Sequence, residues 1–215
     1  MNLKNLKYLF LLMMSVFVLA SCSEDDDSST EYANWQARND KAFADTLTYA
    51  KTQGEANGWY VVRKWSLQDQ TANKDAAGNL ADLTYNDDDY IVMHVLDKGT
   101  GTETPLYTDS IQLSYRGRLL PTETYANGYV FDQTFNGAYD AKTAYPSSTT
   151  VNAGWIDGFT TALLKMHVGD RVQVYIPANL AYGTSDYNGI PGYSMLRFEI
   201  ALSAIKRGKG EWITK

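Results

Sequence analysis

The sequence predicts an α+β fold in which a curved antiparallel β-sheet wraps around one short α-helix, with a helical extension at the N-terminus. Three observations predict it. Apolar and polar residues alternate with period two around 111–116, 172–176 and 196–202, as strands with one buried and one wet face do. A single short stretch near 157–166 switches to helical spacing, and a longer one does so across 31–52. One sheet face covered by one helix is an α+β arrangement.

The first 22 residues read as an address segment. Lys4 and Lys7 precede an almost unbroken apolar run from Tyr8 to Leu19, which Leu19-Ala20-Ser21-Cys22 closes with small residues. The run is too short for a comfortable membrane span. It resembles a bacterial lipoprotein signal peptide, and Cys22, the sole cysteine, stands where the lipidated residue would be. A chain cleaved there carries a lipid anchor on Cys22, no disulfide and no transmembrane helix. Residues 23–30 then form an acidic, hydroxyl-rich tether that stays extended in water. Ser23 followed by Glu24, Asp25, Asp26 and Asp27 looks like the tract that sends some Gram-negative lipoproteins to the outer face of the outer membrane. Both readings place the domain in the bacterial cell envelope.

Charge excludes one class of partner. The formal net charge is −6, and loss of residues 1–21 removes Lys4 and Lys7, leaving 17 bases against 25 acids. Nucleic acid is not an expected partner of so acidic a chain.

Residues 31–89 read as an extension of one helix and one strand. From Glu31 to Thr52 the residues Trp35, Phe43, Leu47 and Ala50 make an apolar stripe between charged positions, and 54–58 ends the helix. Such a helix either docks on its own domain or serves as an arm for a homodimer. Trp59–Leu67 and Tyr90–Leu96 are rich in β-branched and aromatic residues, as strands are. The polar loop between them ends in Asp87–Asp89, which lacks the ligand offsets and glycine of a calcium loop and reads as solvated. The glycines of 99–101 neither follow dinucleotide spacing nor lead to a phosphate-gripping Lys. His94 and His167 make no metal site by spacing, so neither cofactor nor metal is expected.

Residues 90–207 carry the main domain, followed by a tail at 208–215. Ile111, Leu113 and Tyr115 alternate with Gln112, Ser114 and Arg116, and Tyr129–Phe135 continues as strand. Val172, Val174 and Ile176 face one way and Arg171, Gln173 and Tyr175 the other; Leu196, Phe198, Ile200 and Leu202 repeat the pattern. The short helix runs from Asp157 to Met166, with an acid where the helix dipole favours one and Gly169 beyond its end.

The order LSYRG, VFDQT, GWIDGF, VGDRVQVYIP, LAYG, then IP and LRFEI resembles the FKBP-type peptidyl-prolyl cis-trans isomerases across about residues 90–207. The resemblance implies that family's half-wrapped sheet, with the pocket between sheet and helix, and proline-containing polypeptides as substrates. It implies that Tyr115 is the pocket's strand tyrosine and Phe131 with Asp132 its Phe-Asp pair. Trp155 and Ile156 match the two residues before the helix, where the N–H of the second receives a ligand carbonyl. Phe159 stands where most members have a floor tryptophan. Tyr182 matches the loop tyrosine that hydrogen-bonds substrate, Ile190 an apolar rim position and Phe198 the phenylalanine at the back. Two departures stand out: Phe159 is smaller than tryptophan, and Trp155 is larger than the usual aliphatic, which predicts a partly filled pocket.

The chemistry asks for such residues. Amide resonance opposes rotation with a barrier of ~18–20 kcal/mol, and proline brings cis and trans close in energy. No bond breaks, so neither nucleophile nor metal is needed. A dry aromatic pocket with donors that favour the twisted amide stabilises the transition state selectively. Two functions follow: a lipid-anchored isomerase that assists the folding of exported proteins, or a non-catalytic peptide- or glycan-binding module on the same scaffold.

Overall fold

A computed structural model describes residues 31–68, 70, 77 and 83–214. The signal segment with Cys22, the tether 23–30 and most of the loop 69–82 lie outside the described residues. A division falls before Asn34, and the second unit, from Asn34 onward, packs as one compact body.

The second unit begins with α1, Trp35–Gln53, which Gly54 terminates at a positive φ of 69°. The strands are β1 Trp59–Arg63, β2 Tyr90–Asp97, β3 Ser110–Arg118, β4 Val130–Gln133 and β5 Ser147–Thr150, then β6 Arg171–Ile176, β7 Leu196–Lys206 and β8 Ile213–Thr214. Between β5 and β6 lies α2, Asp157–Lys165. The sheet order is β1-β2-β6-β7-β3-β4, with β5 also on β3 and β8 on β7. Every pairing is antiparallel, and no helix of the described residues is long and apolar enough to cross a membrane.

The alternation predicted from sequence sorts onto two faces. Val172, Val174, Ile176, Leu196, Phe198 and Ile200 are buried with Phe159 and Leu163 of α2, so α2 fills the concave face. The opposite face is only partly wet. Phe43, Leu47 and Ala50 of α1 pack with Val92 and Met195, and Trp59, Val61, Leu120 and Tyr175 close around them. The apolar stripe of α1 is therefore buried on its own sheet. Asn39 fixes this docking: it is 1% exposed, its Oδ1 accepts the Met195 N–H at 2.8 Å, and its Nδ2 donates to the Trp35 carbonyl at 2.7 Å. Trp35 Nε1 donates to Ser194 Oγ at 2.8 Å.

Several expected bounds are corrected. The strand expected across Trp59–Leu67 ends at Arg63, because the chain turns at Lys64 into a 3-10 turn, Trp65–Leu67. There the Trp65 N–H donates to Thr161 Oγ1 at 3.1 Å and its ring stacks on Tyr107. Lys64 also pairs with Asp157 at 2.5 Å, so the extension clamps the N-terminus of α2. The strand expected across Tyr129–Phe135 is limited to Val130–Gln133. Two further strands, β5 and β8, have no counterpart in the sequence reading. Asp87–Asp89 form a 3-10 turn closed by an Asn86/Asp89 capping box.

Candidate functional site

The site sits where the concave face meets the N-terminus of α2. Position Gly117 of β3 lies opposite Phe198 of β7 and opposite Asp132 of β4. The β3–β4 register then slips, pairing Arg118 with Val130 and leaving Phe131 as an extra residue. Consecutive residues of a regular strand point to opposite faces. The bulge lets Phe131 and Asp132 both serve the concave side. A Cβ on Gly117 would stand 2.5 Å from Phe131 Cζ and 2.7 Å from Phe198 Cε1, so only glycine admits both rings.

Tyr115 is the hub. Its hydroxyl donates to Asp132 Oδ2 at 2.7 Å, and its main chain is latched to Thr134 by N–H to Oγ1 and by Thr134 N–H to carbonyl, both 2.9 Å. Its ring meets Trp155 and Phe159 edge-on at 5.7 Å and Phe198 at 6.3 Å. Phe198 in turn meets Phe131 at 5.4 Å and Phe159 at 5.0 Å. Trp155 stacks on Phe159 at 4.7 Å and 26°, and its Nε1 donates to the Thr150 carbonyl of β5 at 3.1 Å. Gly154 at φ 86° makes the turn that swings Trp155 over the floor. The indole thus lies flat on the smaller Phe159.

Ile156 precedes α2 in an extended conformation, and its carbonyl accepts the Phe159 and Thr160 N–H groups. Its own N–H donates to nothing among the described residues. Tyr182 is half-buried and stacks on Tyr187 at 4.3 Å and 13°. Ile190 is 4% exposed and held by reciprocal main-chain bonds with Tyr187 at 2.9 Å, a tight hairpin that carries the second aromatic. Tyr187 is absent from the residues singled out by sequence; the signal was an aromatic between Asp186 and Asn188-Gly189, turn formers that present it. Asp132 itself is exposed.

Burial raises the Tyr115 phenol well above its ordinary value of 10.0, helped by its bond to Asp132 and the charge there. Burial likewise raises Tyr182, with Tyr187 and then Asp132 adding to it. A raised phenol keeps its proton in the folded chain after the unfolded chain has lost it, so its stabilisation is complete below 10.0 and declines as pH climbs past that value. An alkaline titration read by phenolate absorbance should show tyrosines ionising late, and Tyr115→Phe should remove one of them. Equal titration curves for the two proteins would refute this placement of Tyr115.

A separate cleft of about 510 Å³ lies between α1 and the 177–195 segment, lined by Asp40, Phe43, Asp88, Gly183, Thr184 and Met195 among others. It holds none of the clustered aromatics. Among the described residues no three His, Cys, Asp or Glu side chains gather as a metal would need.

A bulged antiparallel sheet closed on one short helix, with an aromatic cluster at the helix N-terminus, defines an FKBP-like fold. Residues 101–203 match the family model described as FKBP-type peptidyl-prolyl cis-trans isomerase. The chain is 34% identical over 119 residues to the macrophage infectivity potentiator of Trypanosoma cruzi, covering 55% of this chain and 54% of that protein. It is 28% identical over 116 residues to the FKBP-type peptidyl-prolyl cis-trans isomerase FkpA of Escherichia coli K12, covering 54% and 38%. It is 33% identical over 114 residues to the outer membrane protein MIP of Legionella longbeachae, covering 53% and 43%. The chain thus spans about half or less of the length of each of these relatives.

Proposed function

We propose that this protein is a peptidyl-prolyl cis-trans isomerase acting on Xaa-Pro bonds of exported polypeptides. The observation that carries the reading is the unspent Ile156 N–H beside the aromatic cluster of Tyr115, Phe131, Trp155, Phe159 and Phe198. The rings hold the pyrrolidine out of water. Ile156 N–H and the Tyr182 hydroxyl serve as donors to substrate carbonyls, and Asp132, fixed by Tyr115, is a polar wall and not a proton-transfer group. Ile190 supports the loop that carries Tyr182. A twisted amide loses conjugation, and a dry pocket with fixed donors favours it over the planar form.

The same reading anchors the protein in the bacterial envelope by a lipid on Cys22, with the acidic tether holding the domain off an outer-membrane surface. It is supported by the sequence of 1–30 and by a relative named as an outer membrane protein. Dimerisation through α1 has less support, because its apolar stripe is already buried.

NMR exchange spectroscopy on short Xaa-Pro peptides with the full-length chain tests the activity. Cis-trans exchange should accelerate, and Tyr182→Ala should slow the catalysed part about tenfold, the worth of one hydrogen bond of ~1–1.5 kcal/mol. No acceleration across a range of residues before proline, by folded protein, would leave a peptide- or glycan-binding module instead.

A further inference from the structure

On the face of the sheet opposite Tyr115, strand register sets like charges against each other. Arg118 of β3 lies directly across from Arg197 of β7, and Arg116, two residues along, lies across from Glu199. Facing like charges are normally unfavourable in antiparallel pairs. Glu199 does little to offset them, because its Oε1 already accepts Arg171 Nη1 at 2.7 Å, while Arg171 Nε binds Asp97 at 2.6 Å. Four guanidiniums against two carboxylates leave an excess of two positive charges at this patch, in a chain whose formal charge is −6.

The arginines are held in place from behind. Arg116 Nη2 donates to the carbonyls of Phe135 and Gly137, Arg118 Nη1 to that of Gly128, and Arg197 Nη2 to those of Leu119 and Asn127. Other donors remain unspent: Arg197 Nε is buried without a hydrogen-bond partner among the described residues. Burial first, and Arg118 as a like-charged neighbour, press both Arg116 and Arg197 below the usual guanidinium value, with Glu199 acting the other way on Arg116 and Tyr175 on Arg197. The three side chains, with Asn127, Gln173 and Glu199, line a cleft of about 200 Å³, room for a small oxyanion and its first waters.

The geometry points to an anion site here, built by Arg116, Arg118 and Arg197 for a doubly charged tetrahedral oxyanion of the phosphate type. Guanidinium forks suit such an anion, and a dianion balances the excess charge. The site is independent of the isomerase reading, since the sheet separates it from Tyr115.

Thermal denaturation of the full-length chain, with inorganic phosphate against chloride at matched ionic strength, tests it. Phosphate should raise Tm saturably, by about 3–6 °C at roughly ten times its Kd. Arg118→Gln should abolish that rise; a merely structural Arg118 would instead shift Tm equally with and without phosphate and leave the rise intact. Gln173→Glu, which supplies a competing carboxylate, should also blunt the response. Glycerol 3-phosphate, the soluble headgroup of a phosphatidic acid, separates the sources: binding like inorganic phosphate supports a phosphate monoester ligand, and exclusion supports the free anion. No saturable rise over chloride, or one that both variants leave intact, would overturn the proposal.

Discussion

Phe159→Ala should lower the unfolding free energy by about 3–5 kcal/mol, as truncations of fully buried aromatics do. Urea denaturation of the full-length protein and the variant measures it. Phe159 is 1% exposed and is the one ring in contact with Trp155, Tyr115 and Phe198 together, at 4.7, 5.7 and 5.0 Å. Each such pair adds about 0.5–1.5 kcal/mol beyond area burial. Collapse of neighbours cannot fill the space cheaply, because Trp155 is tied to Thr150 and Tyr115 to Asp132 and Thr134. Phe159→Leu, which retains most of the volume, should recover at least half of the loss. If alanine cost under about 1 kcal/mol, the cluster would not be a packed unit of the kind that large-to-small truncation penalises. Under the proposed activity the alanine variant, assayed where it remains folded, should also accelerate exchange less than wild type, since the prolyl ring loses its floor.

The sheet was legible in the sequence wherever burial on one face imposed strict alternation. Val172, Val174 and Ile176 against Arg171, Gln173 and Tyr175 fixed β6, and β7 followed in the same way. Ser147–Thr150 carries no such signal: it is a short polar strand with an exposed start, made a strand only by pairing with Ser110–Leu113. Ile213–Thr214 is likewise a strand only because Ala204 and Ile205 lie beside it. Trp65 looked like strand because its residue type favours one, yet a hydrogen bond to Thr161, far away in the chain, decides its turn. The amphipathic stripe of α1 was visible, but nothing local says that it covers the convex face. Of the site, the aromatic residue types and the Phe131-Asp132 pair were readable, whereas their presence on one face depends on a bulge at Gly117. The Arg118–Arg197 confrontation is a fact of register alone, and no single-strand pattern reveals it.

Asp170→Ala should cost about 3–5 kcal/mol, because it removes a buried carboxylate that satisfies main-chain donors on two loops. Asp170 is 3% exposed. Its Oδ1 accepts the Gly99 N–H at 2.8 Å and its Oδ2 the His167 N–H at 2.9 Å, with Lys98 Nζ 3.4 Å away. Its main chain is also clamped to β7, since Gly169 N–H donates to the Leu202 carbonyl and Leu202 N–H to that of Asp170. Gly99 has no room for a side chain there, as a Cβ would fall against the main chain of Val168–Asp170. With alanine, the two half-buried N–H groups lose their acceptor in this tight crossing, at about 1–3 kcal/mol each. Asp170→Asn keeps one acceptor oxygen and presents an amide donor to the other N–H, so about half the loss should remain. Equal losses for Ala and Asn would assign the effect to charge instead of to hydrogen-bond acceptance. The crossing lies beyond the C-terminal end of α2, whereas Ile156 and Trp155 precede its N-terminal end. Below its midpoint the Asp170 variant should therefore keep wild-type exchange rates on Xaa-Pro peptides, separating the stability of the frame from the chemistry of the site.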